Sequence, residues 1–306
     1  MNFISRYTLI ALFAFAPALL AAQAESIFNE IKMNDGIDSV KSKLSDIADE
    51  INHHMIENPT FPLASEKEEH VVYSNIKTEY GTIDRAVFTF GDGTLKYVET
   101  RGNSTSVFNR YKNEESTNYL DYTVYMSDKL FIDSSKDAAW ILTDGGMHTN
   151  LFTWNNPFLS ESEKNHEEIT SSYVIPDFIK MGGSMNALQS EFESHCGFTQ
   201  VQELDGSDPN AQLQINCFGL EYGGFPRKFE ARFGDEKLNV VWILTGEEEE
   251  DRIRKALVNE FGDPIFVNDE WEIFHDWQVG LRKDKPEVLL MEKSIGLGYK
   301  SSYFGQ

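Results

Sequence analysis

The sequence predicts an α+β fold of two tandem units, each with helices packed on one face of an antiparallel sheet. Three observations carry this reading. Short motifs recur in one order in both halves of the chain, each half opens on a helix-spaced apolar stripe, and each contains a Gly-Asp turn between alternating strands.

The recurrence comes first. Ile31-Lys32-Met33 returns as Ile179-Lys180-Met181, and at the same offset of 148 Val40 meets Leu188, Ser42 meets Ser190, and Leu44 meets Phe192. Phe90-Gly91-Asp92 returns as Phe233-Gly234-Asp235, with Leu95 opposite Leu238. Toward the ends the offset is read as falling to about 136, which pairs Asp128 and Phe131 with Asp263 and Phe266 and brings Trp140 close to Trp277. Ordered self-similarity of this kind marks a duplicated structural unit.

Val40, Leu44, Ile47 and Ile51 have the spacing of one helical face, as do Met185, Leu188 and Phe192. Val87–Phe90 and Leu95–Val98 flank Gly91-Asp92-Gly93, and Phe229, Ala231 and Phe233 alternate with Lys228, Glu230 and Arg232 before the Gly234-Asp235 turn. Alternation closed by such a turn predicts hairpins with one apolar face and one charged face left to solvent. A helix is expected over Glu248–Phe261, stopped by Gly262 and Pro264. Strands follow near Glu270–His275, Gln278–Arg282 and Val288–Glu292. The first copy offers a helix over Tyr111–Leu120 and strands near Leu130–Ile132, Ala139–Leu142 and Asn150–Trp154.

Ahead of both copies, Arg6 precedes an apolar run from Leu9 to Leu20, and Ala22-Gln23-Ala24 supplies a small-x-small cleavage pattern. The run contains Pro17 and is shorter than the about 20 residues a membrane span needs. Residues 1–24 are therefore expected to be a secretory signal peptide, 25–157 the first unit, 158–174 a polar linker and 175–306 the second unit. Export to the periplasm or the medium follows, with no stable membrane insertion once the leader is removed.

The full sequence carries 27 basic and 50 acidic residues for a formal charge of −23. Losing Arg6 with the leader makes the remainder one charge more negative. Such a chain repels nucleic acid, whose binding depends on Lys and Arg neutralising phosphate. Cys196 and Cys217 are the two cysteines; in an oxidising compartment they are expected to form one disulfide, worth about 3 kcal/mol by chain entropy.

The Ile179-Lys180-Met181-Gly182-Gly183-Ser184-Met185 helix opening, a hairpin holding a cysteine, and the Phe233-Gly234-Asp235-x-x-Leu238 turn lie in order within 178–292. This region resembles the repeats of β-lactamase-inhibitor-type proteins and of small outer-membrane-assembly lipoproteins. The resemblance implies helices on an antiparallel sheet whose concave surface grips a partner protein. These copies are longer than that unit, a disulfide is available only to the second, and no cysteine for lipid attachment follows the leader's apolar run. No partner-binding residue is carried over.

No G-x-S-x-G, H-E-x-x-H, Walker or G-x-G-x-x-G motif is present. No cofactor, metal or catalytic residue is assigned. His53-His54, read on a helix, are spaced wrongly to share a metal, and His275-Asp276 reads as a strand-end pair. Asp205 to Asn210 reads as a turn, not a calcium loop. Tyr122, Trp140, Trp154, Trp242, Trp271 and Trp277 are candidate interaction aromatics if a sheet face is open, and core residues if it is not. The function expected is a non-enzymatic, exported, protein-binding role, inhibitor-like or accessory to the envelope. A hydrolase with a carboxylate or His-Asp site and a small-ligand or lipid binder are the alternatives.

Overall fold

A computed structural model describes residues 24–112, 115–159 and 172–305. Apart from Ala24, the expected leader lies outside the described residues, as does the centre of the expected linker.

The first unit opens on helix α1 (Ile37–Leu44). Strands β1 (Asp49–Ile56), β2 (Glu68–Thr78), β3 (Gly81–Gly91) and β4 (Thr94–Arg101) form a meander. Helix α2 (Ser104–Tyr111) leads to a second meander of β5 (Thr117–Tyr119), β6 (Tyr122–Tyr125), β7 (Leu130–Asp133) and β8 (Ala138–Leu142), which ends at α3 (Asp144–His148). The second unit repeats this plan. It has α4 (Met185–His195), β9 (Phe198–Glu203), β10 (Leu213–Tyr222), β11 (Phe225–Gly234), β12 (Lys237–Leu244) and α5 (Glu250–Phe261). Strands β13 (Phe266–Val267), β14 (Trp271–Phe274), β15 (Val279–Arg282), β16 (Glu287–Met291) and helix α6 (Lys293–Ser302) complete it.

Each unit is one eight-stranded antiparallel sheet with the same order. It runs β1-β2-β3-β4-β8-β7-β6-β5 in the first and β9-β10-β11-β12-β16-β15-β14-β13 in the second. The internal repeat is thus written in the topology, and it extends to details. Both β3 and β11 slip register at one place, between Thr89 and Phe90 and between Arg232 and Phe233. Bridges Gly36–Thr94 and Ser184–Lys237 tie each opening helix to the same hairpin.

The shared Phe-Gly-Asp motif has a steric cause. A Cβ on Gly91 would lie 1.9 Å from the Leu63 carbonyl oxygen, and one on Gly234 would lie 2.2 Å from that of Asn210. Only glycine allows the backbones to approach so closely. The following Asp92 and Asp235 both turn at φ 50°. Asp92 also accepts hydrogen bonds from the Ser65, Glu66 and Lys67 N–H groups.

Toward the repeat ends the structural correspondence departs from the sequence alignment. Trp140 lies opposite Glu99 as Leu289 lies opposite Trp242, so Trp140 matches Leu289 and not Trp277. Trp277 ends the 3-10 turn His275–Trp277, which matches Met126–Asp128. The apparent shortening of the offset came from pairing chemically similar residues across unequal loops.

Other local expectations are corrected too. Helix α1 stops at Leu44, and Ile51 and His53-His54 lie on β1, where neighbouring side chains point to opposite faces. The helix expected over Tyr111–Leu120 lies earlier, at Ser104–Tyr111, and Leu151–Thr153 is a 3-10 turn in place of a strand.

Val40 and Leu44 of α1 and Val107 and Phe108 of α2 share a core with Phe88, Phe90, Leu95 and Val98, and Leu188 and Phe192 of α4 and Ile253 and Leu257 of α5 share one with Phe229, Phe233 and Val241. The opposite faces, expected to stay open, are not bare. In the first unit Phe61–Ala64 and Leu151–Leu159 lie over Tyr97, Phe131 and Trp140. In the second, α6 and Phe304 cover Val240, Trp271 and Met291. The disulfide joins the end of α4 to β10, with Cys196 and Cys217 Cα atoms 5.5 Å apart. No helix among the described residues is long and apolar enough to cross a membrane.

The units meet at a packed seam. Arg252 of α5 donates to the Phe61 and Ala64 carbonyls at 2.9 and 2.8 Å, and His148 donates to the Pro286 carbonyl at 2.9 Å. Behind this seam Arg227 and Glu249 form an ion pair at 2.7 Å with both side chains fully buried. Glu249 also accepts from the Gly246 N–H and the Tyr173 hydroxyl.

Candidate functional site: the second faces of the two sheets

The first unit hides a polar cluster beneath its covering segment. His70 Nε2 lies 2.7 Å from Glu68 and Nδ1 2.9 Å from the Thr89 hydroxyl, the order of a carboxylate–imidazole–hydroxyl relay. With Nε2 donating to Glu68, Nδ1 is the acceptor, and it also meets the Asn156 amide at 3.1 Å. Asn156 donates to Thr89 as well, and Phe158 stacks on His70 at 4.3 Å. None of Glu68, His70 or Thr89 is more than 1% exposed. The cluster is sealed from solvent and holds the segment Leu151–Leu159 to the sheet through Asn156 and Phe158.

The clamp has two carboxylates in opposite electrostatic situations. Burial works to raise Glu68, but hydrogen bonds from His70 and from the Phe61 and Thr60 N–H groups outweigh it and hold its pKa below 4.5. Burial dominates at Glu99 and raises its pKa, against the pull of Arg101, the Asn156 N–H and Tyr97. A lowered folded-state pKa means that Glu68 adds stability above pH 4.5 and loses it as pH falls through the folded value. Glu99 acts in reverse, stabilising the fold more once protonated. Glu68→Gln is therefore expected to shrink the acid-side loss of stability, read as urea midpoints between pH 6 and 3.

The equivalent face of the second sheet is less covered. Across β11 run Lys228, Glu230 and Arg232, with Lys228–Glu230 at 2.7 Å and Arg232–Glu230 at 3.0 Å. Arg232 Nε donates to Gln214 at 2.8 Å, Gln214 donates to Asn216 at 2.7 Å, and Asn216 donates to Gln202 at 3.3 Å. The Arg232 guanidinium also lies over the Trp242 ring, 5.7 Å from its centre. Burial would raise Glu230, but Lys228 and Arg232 prevail and hold it low, so it stays ionised. Lys228, Glu230 and Arg232 are partly exposed, with 18, 17 and 30% of their side chains accessible, while Gln214 and Asn216 are buried like His70, Thr89 and Glu99 of the first unit.

An aromatic groove of about 310 Å³ adjoins the ladder between the units, with Tyr122, Asp133 and Lys136 on one wall and Phe198, Phe218 and Pro226 on the other. Phe198 is 41% exposed. Lys228 lies over the Phe218 ring at 5.6 Å, and Tyr119 packs edge-on to Phe218 at 6.2 Å. Burial, then Asp133 and Asp121, push the Tyr122 hydroxyl up to about 12.

Of the aromatics singled out from sequence, only Tyr122 faces this groove. Trp140, Trp154, Trp242, Trp271 and Trp277 are all buried, because the second sheet faces they occupy carry cover over these positions. The sequence reading missed Phe198, which is exposed, and Phe218, which is buried but forms part of the groove wall. The charged positions of β11 were visible as alternation, but their bonding to β10 required the register. His275 and Asp276 are exposed turn residues, and Asp276 pairs with Lys293 at 3.3 Å. Among the described residues no three His, Cys, Asp or Glu side chains are grouped to hold a metal. No family model, curated protein or solved structure matches the chain.

Proposed function

We propose that this is an exported protein that binds another protein through the partly exposed charges of β11 and the adjoining groove at Phe198, as an inhibitor or an accessory factor of the envelope. One observation carries the reading. Two units of one topology present the same face, and the first covers its own centre with Leu151–Leu159, while the second, covered at one side by α6 and Phe304, leaves Lys228, Glu230 and Arg232 partly exposed and Phe198 exposed beside them. Aromatic and arginine side chains that are partly desolvated and held in place are the usual anchors of protein interfaces. The disulfide supports a compartment outside the reducing cytosol, in keeping with the leader expected at 1–24.

The test uses the full chain, immobilised and exposed to envelope and medium fractions. Captured proteins are then titrated against variants. Arg232→Glu and Phe198→Ser are each expected to weaken a true partner at least tenfold, while Lys41→Glu on the helical face leaves affinity unchanged. A partner that binds all three variants equally, or no partner at all, overturns the reading.

A further inference from the structure

Each sheet ends on the strand that follows its opening helix, β1 in the first unit and β9 in the second. A sheet edge presents N–H and C=O groups that lack a ladder partner, and chains that stay apart blunt such edges with charges or bulges. Strand β1 has both. It begins on Asp49 and Glu50, its register slips between Glu50 and Asn52, and Lys41 of α1 pairs with Glu50 at 3.0 Å. Strand β9, Phe198-Thr199-Gln200-Val201-Gln202-Glu203, has neither device before its last residue. It pairs with β10 in unbroken register, and every residue but Thr199 is exposed, Val201 by 49%.

The ladder fixes which backbone groups of β9 are spare. In an antiparallel pair, alternate residues direct both groups at the neighbouring strand and those between direct theirs away. The Leu204 N–H donates to the Gln212 carbonyl at 2.9 Å, and the Gly197 N–H to the Phe218 carbonyl at 2.8 Å. Gln214, Asn216 and Phe218 of β10 therefore face β9, and by register Gln202, Gln200 and Phe198 bond to them. Thr199, Val201 and Glu203 aim their N–H and C=O groups outward, and among the described residues no hydrogen bond reaches those groups.

This edge is complementary to itself. A two-fold axis through Val201, normal to the sheet, lays a second β9 antiparallel with Val201 on Val201, Gln200 on Gln202, Thr199 on Glu203 and Phe198 on Leu204. Outward groups meet outward groups throughout, apolar side chains meet apolar ones, and the strand's one carboxylate lies opposite a hydroxyl. A slip of two residues either way leaves one of the three outward residues without a partner in the strand.

We propose that two copies of the chain pair through β9 in this register and join their second sheets into one. Closed two-fold contacts are the usual form of self-association. The contact is six residues long and each chain carries a formal charge of −23, so the pairing is weak at low salt and tightens as salt screens the repulsion. It uses the strand edge and not the β11 charges, so it stands or falls apart from the proposed binding role of β11.

The test is sedimentation equilibrium of the disulfide-bonded chain at low and high salt. The weight-average mass is expected to climb toward twice that of the monomer with concentration, with several-fold tighter association at high salt. Val201→Lys sets two like charges face to face at the axis, and Val201→Pro removes an N–H that bonds nothing within the chain. Both should stay monomeric where the parent chain is dimeric, and Val201→Lys should keep the parent's thermal transition. Val201→Cys checks the register. It faces its own copy at about 5.5 Å between Cα atoms, within disulfide range. With oxidised glutathione taking up the two electrons and two protons, it should crosslink two copies, and Gln202→Cys, opposite Gln200, should do so far more slowly. A parent chain that stays monomeric at every concentration and salt, a dimer that survives Val201→Lys and Val201→Pro alike, or equal crosslinking by the two cysteine variants overturns the proposal.

Discussion

Arg227→Met is expected to destabilise the protein by about 3–5 kcal/mol, the usual loss when one partner of a buried ion pair is removed. Both side chains are fully buried at 2.7 Å, so the substitution leaves the Glu249 carboxylate without its countercharge. The remaining donors, the Gly246 N–H and the Tyr173 hydroxyl, are neutral. The pair itself is not the source of that stability, since desolvating two charges offsets most of their attraction. Arg227→Met combined with Glu249→Leu should therefore recover a large part of the loss. Urea denaturation followed by tryptophan fluorescence measures all three variants, and the double-mutant cycle isolates the coupling. A single-variant cost below about 1 kcal/mol would mean that water reaches Glu249. The effect should extend to the seam, because the Gly246 backbone held by Glu249 lies against Pro62, where a Cβ would come within 2.1 Å of the carbonyl oxygen.

The duplication was legible because its first half is set by local rules. A glycine forced by close backbone approach, an aspartate at positive φ and a β11 strand alternating every second residue leave plain marks at fixed spacing. The disulfide was legible from compartment and count, and the 250–261 helix from its glycine stop. In the second meander of the first copy β7 and β8 were legible and β5 and β6 were not, because these are three and four residues long and a stretch that short fits a helix or a strand pattern equally. His53 and His54 failed for a related reason: Ile47 and Ile51 continue a helical period by coincidence into a strand. The site was harder still. Whether a sheet face is open depends on what lies over it, and Trp154, Asn156 and Phe158 reach Tyr97, Glu99 and His70 from more than fifty residues away in sequence. No periodicity records such a contact. The tryptophans therefore read as core more readily than as anchors, as they are, and only the coordinates showed that Phe198 is exposed.

Trp154→Ala should cost about 3–5 kcal/mol by the usual truncation of a large buried aromatic, and its local consequences distinguish cover from core. The ring packs against Phe61, His70, Tyr97 and Phe225, while its own carbonyl accepts from Trp140 Nε1 at 2.9 Å and from the Tyr97 hydroxyl at 3.2 Å. Those carbonyl bonds survive the substitution only if the segment stays seated. Without the ring, Asn156 and Phe158, with the Arg85 bond to the Leu159 carbonyl and the Arg101 bond to Asn155, must hold the segment over the buried acids Glu68 and Glu99. Hydrogen exchange should show the Asn156 N–H, bonded to Glu99, losing protection by at least tenfold more than the amides of β12 and β16 in the second unit. Equal loss throughout the chain would instead mean that the two units unfold as one through the Phe225 seam. Thr153 of the covering segment lines the groove beside Phe198, so a loss of binding at the second face in this variant, below its melting range, would place that segment inside the interface.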